Sequence, residues 1–254
     1  MARHHFHWLI AGGMLIAAPA DAQNLGRWPI HSLDRPQPPV VTPAPVDWPG
    51  AAPADAVALF DGTDLSQWEA DSGRPAGWTV GSGYMEIAAG SGSIHTKRRF
   101  GDCQLHVEWM APVPPHGDGR ERGNSSVYLM IRYEVQVLDS YDNTTYPDGQ
   151  AAAVYGQYPP LVNASRPPGV WQSYDIVFHR PRFNARGKLL MPARLTVLHN
   201  GVLVQDDVVL SGPTAHQRRP PYTAHADSLP LLLQDHGNPV RYRNIWIRSL
   251  RETP

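Results

Sequence analysis

One cysteine in 254 residues, Cys103, rules out an internal disulfide and any cysteine-based zinc site. Its neighbours in "GDCQLHVEW" put it in phase with Leu105, Val107 and Trp109, so it reads as a small buried hydrophobe and not as a reactive thiol. Charge of one sign is also lacking. Lys and Arg number 22 against 23 Asp and Glu, a formal net charge of −1. Such a balance offers no electrostatic footprint for nucleic acid or for an anionic membrane. There is no Gly-x-Ser-x-Gly elbow, no dinucleotide-binding glycine fingerprint and no His-Glu-x-x-His, which removes hydrolase triads, Rossmann cofactors and zincin chemistry. No stretch carries a long helical period with caps.

The longest apolar run, Trp8 to Ala18, is too short to span a bilayer. It follows Arg3 and three histidines and precedes Ala20-Asp21-Ala22. That order of basic start, apolar centre and small-x-small site predicts a signal peptide over residues 1–22 and a mature chain beginning near Gln23. The expectation is an exported protein, periplasmic or extracellular, with no membrane insertion after cleavage.

Proline, by contrast, is abundant between residues 29 and 56, which hold eight: Pro29, Pro36, Pro38, Pro39, Pro43, Pro45, Pro49 and Pro53. A segment of this kind favours polyproline II and cannot nucleate a core, so residues 23–56 read as a linker or surface strap. The folded domain is expected over 57–251.

Within it, short alternating runs are separated by Gly, Pro, Asn and Asp. They predict strands at 77–80, 84–88, 93–96, 103–111, 126–138, 171–179, 193–199, 202–209, 230–235 and 240–250. "HNGV" at 199–202 sets Asn-Gly between two apolar runs, a hairpin signal. About ten strands and one core imply an all-β, antiparallel β-sandwich. The connections 139–170 and 210–229 are long and aromatic, holding Tyr146, Tyr155, Tyr158 and Tyr222, as functional loops often are.

The stretch "SVYLMIRYEVQVLDSYDN" has two sides if it is one strand. Val127, Leu129, Ile131, Tyr133, Val135 and Val137 share a face, and Tyr128, Met130, Arg132, Glu134 and Gln136 share the other. Glu134-x-Gln136-x-x-Asp139 has the spacing of the Glu-x-Asp-x-x-Glu strand of retaining jelly-roll glycosidases. Retention needs carboxyl groups ~5–5.5 Å apart. Glu134 and Asp139 are roughly 16 Å apart along an extended strand at ~3.3 Å per residue, and Gln136 replaces the middle acid. An ordinary carboxylate dyad is therefore a poor fit. Two further polar stripes, Gln104-His106-Glu108 and Gln234-His236 with Arg241 and Arg243, carry side chains suited to bidentate hydrogen bonds in a cleft. His225, Asp227, Asp235 and His236 offer scattered ligands, which leaves a divalent metal open without specifying one.

Seven segments in series resemble the 3-keto-disaccharide hydrolase domain family: "ALFDGTDLSQW", "GNSSVYL", "RYEVQVLDS", "AAAVYGQYPP", "PPGVWQSYDIVF", "LTVLHNGVLV" and "LQDHGNPVRYRNIWIR". They run in order from about residue 57 to 250, with Ser126 as a departure where the family carries Gly. The resemblance implies a concanavalin A-like jelly roll and an oxidised sugar, a 3-keto-glycoside, as substrate. It implies chemistry in which one base removes the C2 proton, an oxyanion is stabilised and the aglycone is expelled from C1. On this reading Glu134 or His236 is the base, and Arg132 or Arg243 stabilises the oxyanion. Gln136 and Gln234 orient hydroxyls, Tyr155 and Asp139 stand at the rim as acid or binder, and Asn124 and Glu108 are further substrate-binding candidates. A non-catalytic carbohydrate-binding module and an ordinary jelly-roll glycoside hydrolase are the alternatives.

Overall fold

The computed structural model describes residues 23–45 and 51–250; the expected signal peptide lies outside the described residues. Fifteen strands follow in chain order: β1 (Val57–Phe60), β2 (Trp68–Ala70), β3 (Thr79–Gly81), β4 (Tyr84–Glu86), β5 (Ile94–Phe100), β6 (Cys103–Met110), β7 (Ser125–Leu129) and β8 (Tyr133–Val137). After a long connection come β9 (Gln172–His179), β10 (Arg182–Phe183), β11 (Leu189–Met191), β12 (Arg194–His199), β13 (Val202–Val209), β14 (Leu229–Leu233) and β15 (Arg241–Ser249). All named pairings are antiparallel. One sheet runs β13-β12-β9-β6-β15-β4-β3, with β1 also on β15; the other runs β2-β5-β14-β7-β8; β10 and β11 form a small hairpin.

The two sheets face each other as a sandwich because alternate side chains of each strand point into the space between them; in β6, β7 and β8 most of the opposite face is buried as well. Leu105, Val107 and Trp109 on β6 and Tyr174, Ile176 and Phe178 on β9 meet Ile94, Val127, Val135, Val137 and Leu233 of the smaller sheet in a single core. Each fully buried apolar side chain contributes ~1.5–3 kcal/mol of transfer free energy, and this sets strand register. Cys103 is buried here, and burial pushes its thiol up to about 12, so it stays protonated. The Asn-Gly pair forms the β12–β13 turn with both residues at positive φ, 53° and 78°.

The predicted single strand 126–138 is instead two strands. Leu129 pairs with Tyr133, leaving Met130, Ile131 and Arg132 as a connection in which the Arg132 N–H donates to the Leu129 carbonyl at 3.1 Å. Met130 and Ile131 both lie in the left-handed region, φ 54° and 52°. An apolar pair at these positions carries no turn signature, so the break was invisible in the pattern. Because the connection has an odd number of residues, Val127 and Val135 still point into the core together. Strands β1, β2, β10 and β11 were also unforeseen, being short.

Residues 23–45 lie along the domain. This segment exchanges backbone bonds with Asn163, Val41 N–H to Asn163 O and Asn163 N–H to Pro39 O, both at 2.9 Å.

Candidate active site

The outward face of the five-stranded sheet carries the polar residues. Cross-strand pairing sets Ser126 opposite Gln136 and Tyr128 opposite Glu134; Leu232 then pairs with Tyr128 and with His95, and His95 with Glu69. Three connections fold over the β7–β8 end. The β6–β7 loop brings Arg120, the loop after β8 brings Tyr155, and the loop after β13 brings Thr214, Ala215 and His216. Gln234 and His236 follow directly on β14. Together with Tyr128 and Glu134 these residues line a pocket of about 450 Å³.

Glu134 lies at its floor, buried. The Ser126 hydroxyl donates to its Oε1 at 2.6 Å and the Tyr128 hydroxyl to its Oε2 at 2.8 Å. Its backbone N–H donates to Thr214 Oγ1 at 3.1 Å, and the Thr214 N–H donates to the Arg132 carbonyl at 2.8 Å, which fastens the covering loop to the hairpin. Burial pushes the Glu134 carboxyl up to about 7, against the opposing pull of the two hydroxyl donors and of Arg120. A carboxyl near 7 suits proton transfer at neutral pH. Burial also raises the Tyr128 phenol well above its ordinary value, so it stays a donor.

The wall is aromatic and cationic. The Arg120 guanidinium stands 5.0 Å from the ring centre of Tyr155 and 5.3 Å from that of Tyr146. The two phenols are 3.0 Å apart, and the Tyr155 hydroxyl is 3.4 Å from His216 Nδ1. Arg120 sits in a 3-10 turn, Gly119–Glu121. The Asn143 carboxamide grips one flank of that turn, accepting from the Gly119 N–H and donating to its carbonyl, both at 2.8 Å. On the other flank Arg122 donates to Asp139 Oδ2 at 2.8 Å, and Asp139 returns its N–H to the Arg122 carbonyl at 3.0 Å.

Of the residues expected from sequence, Glu134, Gln234, His236 and Tyr155 come together in the pocket. Asp139 does not: it is buried under the β6–β7 loop, where burial raises its pKa and Arg122 opposes the rise. Gln136 lies within the sheet and Asn124 just before β7, with Gln136 Nε2 donating to Asn124 Oδ1 at 2.8 Å and to the Ser125 and Val137 carbonyls. Arg132 belongs to the β7–β8 turn and does not line the pocket. Arg243 and Glu108 sit on the eight-stranded sheet, away from it. There Glu108 accepts from Arg243 Nε at 2.6 Å and Asn244 Nδ2 at 2.7 Å. His106 lies 2.7 Å from Asp175 Oδ1; burial alone would lower its pKa, but Asp175 and Glu108 raise it to about 9. This ionic network holds Glu108 and His106, while Arg243 and Asn244 also line a separate pocket of about 340 Å³ with Phe60, Asp61 and Trp246. Sequence reasoning missed Arg120, Thr214 and His216, which alternation cannot reach because they arrive on loops. Tyr128 was legible as a residue on the polar face, whereas Ser126 stood out only as a departure from the family's Gly. Among the described residues no group of three or more His, Cys, Asp or Glu side chains converges to hold a metal ion.

A jelly-roll sandwich with a carboxyl-floored, aromatic-walled pocket defines a carbohydrate-active protein. The chain belongs to the 3-keto-alpha-glucoside-1,2-lyase-like domain family, whose profile matches residues 55–248. It is similar to a crystal structure from Parabacteroides distasonis ATCC 8503, provisionally assigned as a glycosyl hydrolase, at 42% identity and TM-score 0.78, covering 86% of this chain and 94% of that one. A second structure from that organism with the same provisional assignment shares the fold at 20% identity and TM-score 0.56, covering 77% of this chain and 99% of that one. No curated protein matches the chain.

Proposed function

We propose that the protein cleaves glycosides whose hexose carries a ketone at C3, by base-initiated elimination. The observation that carries this reading is that Glu134 is the one carboxylate among the residues lining the pocket. Hydrolysis of an ordinary glycoside uses two carboxyl groups flanking C1. A C3 ketone acidifies the C2 hydrogen, and one base then suffices.

In the proposed reaction Glu134 takes the C2 proton, and the C2–H electron pair becomes the C2=C3 bond of an enediolate. The charge collects on O3, for which Arg120 is the pocket's guanidinium; such preorganised donors commonly contribute ~10²–10³ in rate. Collapse of the enediolate restores the C3 carbonyl, forms C1=C2 and breaks the C1–O bond. The leaving oxygen takes a proton from His236 or from the Tyr155–His216 pair. Water then adds across C1=C2, OH to C1 and H to C2, if the unsaturated product is retained; otherwise the enone departs. Gln234, which lines the same pocket, orients hydroxyls in this reading. We also propose export, on the strength of the pattern in residues 1–22.

The test is incubation with a 3-keto-glucoside and with its unoxidised parent. Cleavage of the keto form alone, lost in Glu134→Gln, is expected; cleavage of the unoxidised glycoside would overturn the reading. Export is checked by sequencing the N-terminus of the protein recovered from the extracytoplasmic fraction, expected near Gln23.

A further inference from the structure

Residues 23–45 fall outside the stretch matched by the family profile, yet they reach the back of the pocket wall. At the point of contact His31 adopts a positive φ of 60°, unusual for a non-glycine residue and held by its partners. Its N–H donates to Asp148 Oδ2 at 3.1 Å, and its Nδ1 lies 3.4 Å from Oδ1 of the same carboxylate. Asp148 is wholly buried, and Arg35, also buried, approaches it with Nη1 at 3.6 Å. The His31 ring is thereby set 4.0 Å from the ring of Tyr146, 4.9 Å from that of Tyr155 and 6.0 Å from that of His216. A side chain on Gly156, next to Tyr155, would meet Ile30 and His31 at 3.6 and 3.8 Å, so the strap packs directly on this loop.

Further ties hold the strap in place. Gln37 Nε2 donates to the Thr145 carbonyl at 2.9 Å, and Gln150 donates to the Gln37 carboxamide. Arg219, from the other covering loop, donates to the Leu25 carbonyl at 2.8 Å and to the Gly156 carbonyl at 2.7 Å. The prolines make such docking favourable, because a segment already confined to extended conformations loses little entropy on binding.

We propose that the segment 23–45 is a working part of the active site. His31, held by Asp148, is the positioning residue that sets the Tyr146–Tyr155 pair and, through it, Arg120 and His216. The proposal rests on the assignment of this pocket as the reaction site.

The test uses full-length His31→Ala and His31→Phe, with melting temperature measured alongside. One readout is kcat and KM on a 3-keto-glucoside. The other needs no substrate: hydrogen exchange at the amides of Gly149 and Gly156, bonded to the Tyr146 and Asp148 carbonyls at 3.1 and 2.9 Å. His31→Ala is expected to lower kcat at least tenfold and to speed exchange at these two amides at least tenfold. Exchange in β6 and β9 should stay as in the parent. His31→Phe, which keeps a ring against the tyrosines and the backbone N–H bond to Asp148 but loses the Nδ1 contact with that carboxylate, should recover part of kcat. Unchanged exchange overturns the proposal, as does faster exchange with kcat and KM intact. If the parent itself turns over no 3-keto-glycoside, the functional reading fails, and the exchange rates alone then decide whether the strap sets the wall.

Discussion

Tyr128 and Glu134 are direct cross-strand partners, and the phenol donates to the carboxylate at 2.8 Å. The donor favours the anion, while burial, the larger influence, favours the acid. Activity of the basic form should therefore rise with pH through an acidic limb near 7. Tyr128→Phe removes a donor to the anion, which raises the carboxyl's pKa and moves that limb to higher pH. Glu134→Gln should lower turnover by roughly 10²-fold or more. Steady-state pH profiles of kcat/KM decide this; a limb that does not move in Tyr128→Phe removes Glu134 as the titrating base.

Stability should run the opposite way. The folded carboxyl near 7 lies above its ordinary 4.5, so its contribution is fully present below pH 4.5 and is lost as pH rises through 7. At ~1.4 kcal/mol per tenfold change in proton affinity, the loss is at most on the order of 3 kcal/mol. Glu134→Gln should melt above the parent at pH 8, with the gap closing by pH 4.5.

Arg120→Ala should cost ~10²-fold in kcat if the guanidinium receives the developing oxyanion. Asn143→Ala, which frees Gly119 on both its N–H and carbonyl, should reproduce a fraction of that loss without touching substrate. Equal kcat in the parent and Arg120→Ala would rule the guanidinium out.

Arg243→Met would leave Glu108 buried with only Asn244 and His106. Orphaning a buried charge costs about 3–5 kcal/mol; because His106 and Asn244 remain, the loss should be smaller than that, and turnover per folded molecule should stay within twofold of the parent. Chemical denaturation together with activity assays separates the two effects.

Ile131→Gly tests the β7–β8 turn. A β-branched residue in the left-handed region is strained by ~1–2 kcal/mol. Relieving it should raise the melting temperature by roughly 2–4 °C for a net gain near 1 kcal/mol in a domain of this size. A fall in melting temperature would show that burial of the half-exposed isoleucine outweighs the strain.

Alternation alone determined much of this protein. Val127, Val135 and Val137 against Glu134 and Gln136 announced a sandwich strand with a core side and a polar side, because a period of two follows from the pleat whatever the partner strands are. The break at Met130–Ile131 left that parity intact in β7 and β8, which is why their two sides were legible from a strand that does not exist as one piece; at the turn itself the expectation is reversed, with Met130 buried in the core and Ile131 exposed. Glu134, Tyr155, Gln234 and His236 were legible as candidates, the first by its face, Tyr155 by its long aromatic loop, and the last two by their stripe. Which candidates share a pocket was decided by loop closure. Arg243 and Glu108 have the same polar character but lie on the other sheet, and Asp139 is drawn to Arg122. Arg120 and His216 reach the pocket, and the strap's His31 the back of its wall, from positions far apart in the chain. Loop paths depend on long-range packing and on buried partners such as Asp148 and Asn143, and no local period encodes them.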